Sequence, residues 1–203
     1  MEIPASADTA TETLRNALRL YTDARLLFEH GRYASCAALS VLAIEELAKF
    51  IALAGFQPFP SCSLRHHTVK QISAASFLLR SRYQATLREI LLEERVGEHA
   101  AMYARLIAME WNADEMALFD IVLGKMIADG SLRRFAQVYA GETNELKQLG
   151  LYVDIDKHGE IRATPTQITR ETAEDQVGFV CDTLKALRAR LPGGGCGDAI
   201  SER

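Results

Sequence analysis

The chain has 203 residues, of which 48% are hydrophobic and 25% are charged, and its net charge is −4. This composition is ordinary for a single folded domain and excludes a largely disordered chain. The acidic balance excludes a surface that attracts nucleic acid as a whole, so any RNA contact requires a local basic pocket. We expect no signal peptide, because the N-terminus is polar and acidic, and no membrane span, because the longest apolar run covers only Ala34–Ile44.

Two helices are predicted at the start of the chain. Apolar residues recur at helical spacing over Asp8–Glu29, and His30-Gly31 ends the pattern. A second helix is predicted from about Tyr33 to Ala54 and is apolar almost all round, which places it in the middle of a bundle. Because only a tight turn separates the two helices, we expect them to lie antiparallel.

Helical patterning dominates the rest of the chain, with one short exception. Alternating residues on either side of Asp156–Gly159 predict a β-hairpin at about residues 151–163. The predicted helices run from Ser61 or Ser63 towards Arg82, through most of Ala85–Ala128, over Leu132–Gln148, and from the N-cap Thr169 to Pro192. We therefore predict an all-α antiparallel helical bundle with one short hairpin, formed by residues 1–192 as a single domain, and a flexible tail at 193–203.

The four cysteines are Cys36, Cys62, Cys181 and Cys196. They form no C-x-x-C pair and have no histidine at a ligand-like spacing, and the chain has no glycine-rich phosphate loop, so we predict no metal and no other cofactor. Cys36 and Cys181 lie in apolar helical patterns and are expected to be small core residues. Reduced thiols are typical of a cytoplasmic protein, which is the location we expect.

The most informative feature is a set of charges inside the most apolar helix. Glu45, Glu46 and Lys49 stand between the apolar segments ALSVLAI and FIALA. A buried carboxylate is costly to desolvate unless it is paired. Glu45 and Lys49 are four residues apart, the favoured orientation for a same-face ion pair, and Glu46 and Lys49 are three apart. Consecutive glutamates point about 100° apart around a helix, so at least one of them can face a neighbouring helix. We predict that a cationic partner meets it there. The alternative is that these charges only solubilise one edge of the helix.

The next predicted helix begins with a basic cluster, Arg65-His66-His67-Thr68-Val69-Lys70. Both histidines can share a helix face with Lys70, and the short connection brings this segment beside the second helix. A carboxylate bound to a histidine fixes its tautomer and raises its basicity, as acid–base catalysis requires, while lysine and arginine can clamp a phosphate.

The candidate catalytic residues are accordingly His67, His66, Lys70, Lys49, Glu46 and Glu45, and the candidate RNA- or phosphate-binding residues are Arg65 and Lys70. The alternative for the histidines is capping and ordinary polar surface near a helix start. Two competing pairs, Arg25…His30 and Arg95…His99, have a nuclease-like spacing that is also frequent by chance.

A resemblance to a known family rests on three segments. EHGRYASCAALSVLAIEELAKF resembles the Ala-Ile-Glu-Glu-Leu-x-Lys helix of the AbiV-type abortive infection proteins. His67-x-x-Lys70 is similar to that family's His-x-x-Lys element, and Gly150–Asp154 is similar to its late Gly-Leu-Tyr-Val-Asp segment. Together these cover roughly Leu14 to Leu191. The resemblance implies a divergent member of the HEPN superfamily, whose members are helical bundles, often dimeric, and in many cases metal-independent RNases.

The resemblance also implies a role in stopping phage growth by impairing translation, with RNA or the translation machinery as partner, a homodimer, and a phage-encoded activator protein. Most catalytic HEPN domains carry an Arg-x4–6-His motif on a late helix, which this chain lacks, so His67 with Lys70 is the best substitute. The first functional hypothesis is an effector that cleaves or binds RNA. The alternatives are a non-catalytic module that binds a phage protein or a translation component, and a bundle with no small-molecule site.

Overall fold

The structure is a computed structural model that describes residues 7–56, 66–93 and 113–191. Two long helices form its first part. Helix α1 spans Ala7–Glu29 and helix α2 spans Tyr33–Leu53. At the end of α1 the backbone N–H of Gly31 donates to Phe28 O, and that of Arg32 donates to Leu27 O. These two bonds are those of a Schellman helix end, which turns the chain sharply into α2.

The remaining elements are five helices, one two-stranded sheet and a single-turn 3-10 helix within the described residues. They are α3 (His67–Glu93), α4 (Ala113–Ala128), α5 (Ser131–Tyr139), α6 (Glu142–Leu151), β1 (Asp154–Ile155), β2 (Ile161–Ala163), the 3-10 helix (Pro165–Gln167) and α7 (Arg170–Arg188). The mostly helical bundle with a short hairpin near the C-terminus confirms the predicted fold class. None of these described helices is long and apolar enough to cross a membrane.

Helix α2 lies in the middle of the bundle and contacts α1, α3, α6 and α7. Neighbours on several sides explain why its sequence is apolar almost all round. Its fully buried apolar residues are Cys36, Ala37, Ala38, Val41, Ala43, Ile44, Leu47, Ala48 and Ile51. The buried polar residues of α2 are Ser40 and Glu45, and Glu45 is the one that carries a charge.

Two elements between residues 132 and 163 differ from the prediction. The single helix expected over Leu132–Gln148 is two helices, because Gly141 adopts φ 89°, a left-handed conformation that ends α5 and starts α6 in a new direction. The hairpin expected from residue 151 begins at Asp154, because Leu151 still belongs to α6.

The hairpin itself is held by its turn and by a short ladder. Asp154 pairs with Ala163 and Ile155 with Ile161 in an antiparallel register. The Asp156 carboxylate accepts hydrogen bonds from the backbone N–H groups of His158 and Glu160, which closes the turn.

Helix α7 starts where the sequence predicted and ends earlier. The Thr169 hydroxyl accepts a hydrogen bond from the backbone N–H of Thr172, which confirms Thr169 as the N-cap. The helix ends at Arg188 and not at Pro192. The expected helix start at Ser61 or Ser63 and the tail at 193–203 lie outside the described residues, and the division of the chain into a 1–192 domain and a tail stays a prediction.

Helices α2 and α6 approach each other closely at Gly150. A Cβ atom added to Gly150 would lie 2.6 Å from the Ala34 carbonyl oxygen and 3.0 Å from the Ala38 Cβ. The first distance is impossible without movement, and the neighbour is backbone, so the helices themselves would have to separate. Glycine at this position therefore sets the spacing between α2 and α6.

We expect Gly150→Ala to lower the free energy of unfolding by about 1–3 kcal/mol, because one helix must be pushed away from the other. Denaturant titration followed by circular dichroism measures this. The matched control is Gly124→Ala in the exposed interior of α4, where no described atom lies within 4 Å of the added Cβ. The control should raise stability by up to about 1 kcal/mol, as alanine does in a helix. Equal effects of the two substitutions would contradict the tight α2–α6 contact.

Candidate functional site

The carboxylate of Glu45 is the centre of a buried ionic cluster. Its Oε1 accepts hydrogen bonds from Lys147 Nζ at 2.8 Å and from Gln71 Nε2 at 2.9 Å. Its Oε2 lies 2.6 Å from His67 Nδ1 and 3.2 Å from Lys70 Nζ. We call these five residues the Glu45 cluster. Its members come from α2, α3 and α6, so three helices must be in place to form it.

The cluster is buried except at one side chain. The side chains of Glu45, Lys147 and Lys70 are only 3%, 4% and 9% exposed, whereas that of His67 is 55% exposed. Gln71 is fully buried. His67 therefore links the buried carboxylate to the outside of the protein.

The Glu45 carboxylate remains ionised across the physiological pH range. Burial by itself raises the pKa of this carboxyl group, but the hydrogen bonds from Lys147, His67 and Gln71 outweigh it and lower the pKa to about 2. One carboxylate and the two ammonium groups of Lys70 and Lys147 leave the cluster with one excess positive charge when the imidazole is neutral. This excess positive charge is buried and favours the binding of an anion beside the cluster.

The geometry suits His67 for proton transfer. A carboxylate can only accept hydrogen bonds, so His67 Nδ1 carries the proton that it shares with Glu45. The neutral ring then presents Nε2 as an unprotonated base, and the half-exposed side chain leaves room for a substrate. A buried carboxylate, a histidine and adjacent ammonium groups can together remove a proton and stabilise a negatively charged oxygen.

Among the described residues, the structure does not bring the other predicted site residues into the Glu45 cluster. Glu46 forms its ion pair with Lys49 of the same helix, and both side chains are partly exposed, at 17% and 29%. The two glutamates thus face different surroundings, as expected from their angular separation. His66 is exposed and binds no described side chain, and Arg65 lies outside the described residues.

The competing Arg…His pair at the end of α1 has an ordinary structural role. Arg25 lies 3.9 Å from Glu29, and His30 Nδ1 lies 2.8 Å from the Leu26 carbonyl oxygen at the helix end. These contacts provide partners for polar groups at the C-terminal end of α1. Neither contact joins Arg25 to His30 as an acid–base pair. The second pair, Arg95…His99, lies outside the described residues.

Sequence reasoning missed Lys147 and Gln71. Lys147 lies in the ordinary amphipathic segment ELKQL, and its ion pair with Glu45 spans 102 positions, so no local spacing indicates it. A weak signal exists in Gly150, which follows Lys147 by three residues on the same helix face and marks where α6 touches another helix. For Gln71 the one available signal is its position directly after Lys70.

The described residues include no group of three or more histidine, cysteine, aspartate or glutamate side chains arranged to hold a metal ion. Of the cysteines, Cys36 is buried and burial raises the pKa of its thiol to about 11, while Cys181 is half-buried. Cys62 and Cys196 lie outside the described residues.

Comparison with known proteins gives one match. A family model described as AbiV, HEPN_AbiV, matches residues 5–184. The match covers most of the 203 residues and confirms the resemblance that the sequence motifs carry. No curated protein and no solved structure matches the chain.

We expect Glu45→Gln to lower the free energy of unfolding at neutral pH by about 3–5 kcal/mol, because it leaves two buried ammonium groups without their counter-charge. The wild type should lose a contribution on the order of 3 kcal/mol as the pH falls from about 4.5 to about 2, because a depressed pKa contributes in full above the unfolded value and is lost as the pH falls through the folded value. The variant should lack that part of the acid dependence. Denaturant titrations at a series of pH values measure both effects.

Glu46→Gln is the matched control for this experiment. It removes the neighbouring carboxylate, whose ion pair with Lys49 is partly exposed, and should cost about 1 kcal/mol or less. An equal loss of stability in both variants contradicts the assignment of Glu45 as the buried charge on which the packing of α2, α3 and α6 depends. An unchanged acid dependence in Glu45→Gln contradicts it as well.

Proposed function

This chain belongs to the AbiV family of HEPN proteins, a family of abortive-infection antiphage defence, and we propose that it blocks phage growth by impairing translation through RNA cleavage at the Glu45 cluster. It acts in the cytoplasm, as a homodimer, and a phage-encoded protein activates it. The observation that carries the catalytic part of the proposal is the Glu45–His67 hydrogen bond, which joins a buried carboxylate to a half-exposed imidazole.

The reaction that suits these groups needs no metal ion and no attacking water. His67 Nε2 takes the proton of a ribose 2′-hydroxyl, and the 2′-oxygen forms a bond to the adjacent phosphorus atom. The bond from phosphorus to the 5′-oxygen breaks, and this oxygen takes a proton from the solvent. The His67 imidazolium then returns its proton to the solvent, which restores the base. The products are a 2′,3′-cyclic phosphate and a 5′-hydroxyl.

The other members of the cluster have supporting roles in this reaction. Glu45 keeps His67 in the tautomer with a free Nε2 and stabilises the imidazolium that forms. Lys70 provides positive charge beside His67, and Lys147 holds the other oxygen of Glu45. Lys49 and Arg65 then remain candidates for binding phosphate outside the cluster, while Glu46 pairs with Lys49 and has no part in orienting His67.

We expect His67→Ala to reduce RNA cleavage by about 10²–10⁴-fold, which is the usual contribution of a general base. Purified protein is incubated with total RNA in the presence of a chelator, and the new ends are tested for cyclic phosphate. His66→Ala is the matched control, because it removes the same type of side chain at the adjacent exposed position, and that side chain is not part of the Glu45 cluster. It should retain near wild-type cleavage.

The same pair of variants is tested for phage restriction in cells. Loss of restriction in His67→Ala with retention in His66→Ala supports the proposal. Full restriction and full cleavage by a correctly folded His67→Ala protein overturn it, and cleavage that the chelator abolishes overturns the metal-independent reaction.

A second candidate function is a non-catalytic module that binds a phage or translation protein, and the exposed hairpin favours it. Tyr152, Ile155 and Ile161 are 62%, 57% and 65% exposed on and beside the two short strands. Apolar side chains grouped on one exposed segment are typical of protein-binding surfaces. In this function the Glu45 cluster serves only to hold α2, α3 and α6 together.

If the protein acts as a binding module, the double variant Ile155→Thr/Ile161→Thr should lose phage restriction, because threonine keeps the strands while removing apolar surface. In the RNA cleavage assay, this variant and the wild type should give the same result. The control is Leu18→Gln/Leu26→Gln on α1, which removes two apolar side chains of similar exposure, 43% and 55%. Restriction by the hairpin variant at the wild-type level contradicts a role of the hairpin in binding.

A further inference from the structure

Helix α7 presents one exposed face that the bundle does not use. Counting about 100° per residue, the positions of Glu174, Gly178, Cys181 and Lys185 fall within about 60° of one another. Glu174 and Lys185 are exposed, and Gly178 and Cys181 are half-buried. Spacings of four, three and four residues are those by which two helices pack along each other. The face lies opposite the buried residues of α7, which are Ala173, Phe179, Val180, Thr183 and Leu187.

The glycine in the middle of this face is not required by the packing of the chain on itself. Glycine destabilises the interior of a helix relative to alanine. At Gly150 a close backbone accounts for the glycine, but a Cβ added to Gly178 would meet, among the described atoms, only Arg134 Nη2 at the ordinary contact distance of 3.9 Å. The missing side chain leaves room for the close approach of a helix from another molecule.

An acidic cleft of about 430 Å³ adjoins the N-terminal half of this face, between α5, α6 and α7. Four carboxylates and two guanidinium groups line it, which leaves an excess of two negative charges. They belong to Glu142, Glu171, Glu174, Asp175, Arg133 and Arg134.

Most of these carboxylates lack a partner. Asp175 binds Arg134 at 2.8 Å, whereas the three glutamates form no ion pair with a residue that the structure describes. The helix dipoles account for Glu142 and Glu171, which lie in the first turns of α6 and α7. Glu174 lies beyond the first turn of α7, so the dipole does not account for it.

The same cleft has an unused hydrogen-bond acceptor. Gln176 lines the cleft, and its Oε1 atom is buried but accepts no hydrogen bond within the described part of the chain. An ammonium group carries a positive charge and three donors. Uncompensated carboxylates beside an open acceptor therefore match a lysine side chain from outside.

A second copy of α7 supplies that lysine when the two helices pack antiparallel. With a two-fold axis midway between positions 179 and 180, Gly178 lies opposite Cys181 of the second copy, and Glu174 lies opposite Lys185 of the second copy. Each contact occurs twice, because a two-fold interface uses the same surface of both molecules. Gly178 then makes room for the cysteine side chain at the closest approach, while the lysine faces the acidic cleft.

We propose that α7 forms the interface between two copies of this chain, packed antiparallel in this register. The inference rests on the homodimer of the proposed function and gives it a surface. Charge decides the direction of packing, because parallel helices would place Glu174 beside Glu174 and Lys185 beside Lys185, and like charges in contact oppose association. The Glu45 cluster includes no residue of α7, so the interface can be altered without changing the candidate site.

The test reverses one charge at a time. Glu174→Lys places lysine opposite lysine at both ends of the interface, and Lys185→Glu places glutamate opposite glutamate. Each single variant should therefore have a dissociation constant about tenfold higher than the wild type or more. The double variant Glu174→Lys/Lys185→Glu restores both opposite-charge pairs and should dimerise as the wild type does. Sedimentation equilibrium over a micromolar concentration series measures the dissociation constants.

Mixing the two single variants is the sharpest measurement. Their heterodimer has opposite charges at both contacts, so an equimolar mixture should dimerise where each variant alone does not. Glu160→Lys and Lys157→Glu are the matched controls, because they make the same changes in net charge at exposed positions of the hairpin turn. They should leave the dissociation constant unchanged, alone and mixed.

Circular dichroism checks that each variant is folded. A single variant that does not fold is replaced by Glu174→Gln or Lys185→Gln, for which a weaker dimer than the wild type is still expected, because one partner of each charge pair is removed.

The outcomes separate this interface from the proposed function. A wild-type dimer that neither reversal weakens overturns the α7 interface and leaves the homodimer standing. Weakened single variants that recover neither in the double variant nor in the mixture overturn the antiparallel register. A wild type that stays monomeric overturns the interface and the homodimer together, while RNA cleavage by wild type and His67→Ala still decides the catalytic proposal.

Discussion

The Glu45 carboxylate is held by hydrogen bonds from two helices while its backbone belongs to a third. Burial works against its charge, yet its pKa lies near 2, because Lys147, His67 and Gln71 favour the ionised form more strongly than the buried surroundings disfavour it. The positions of α3 and α6 relative to α2 and the charge state of Glu45 therefore depend on each other. Displacing either helix would remove part of the set of donors that keeps this buried carboxylate ionised, and weakening a buried ion pair in this way is costly.

Much of the fold could be predicted from the sequence because its signals are local. Periodicity and helix ends locate α1 and α2, and the Thr169 cap locates the start of α7. The break at Gly141 was missed, because one glycine in a helical pattern is often tolerated and only its left-handed conformation shows that it ends a helix.

The candidate site could be predicted only in part. The reasoning that a charge in an apolar helix needs a cationic partner leads to Glu45 and then to His67 and Lys70, which lie nearby in the chain. The same reasoning does not distinguish Glu45 from Glu46, since the choice depends on which face of α2 meets which neighbour. Lys147 depends on the packing of α6, which follows from long-range contacts and not from local spacing.

The contact at Gly150 limits how the chain can vary in evolution. Because Lys147 and Gly150 both face α2, three positions apart, an insertion or deletion between them would rotate one of them away by about 100° per residue. A lysine followed three positions later by a glycine is thus the pattern by which distant relatives that keep this buried charge could be identified, even where little else of the C-terminal half is alike.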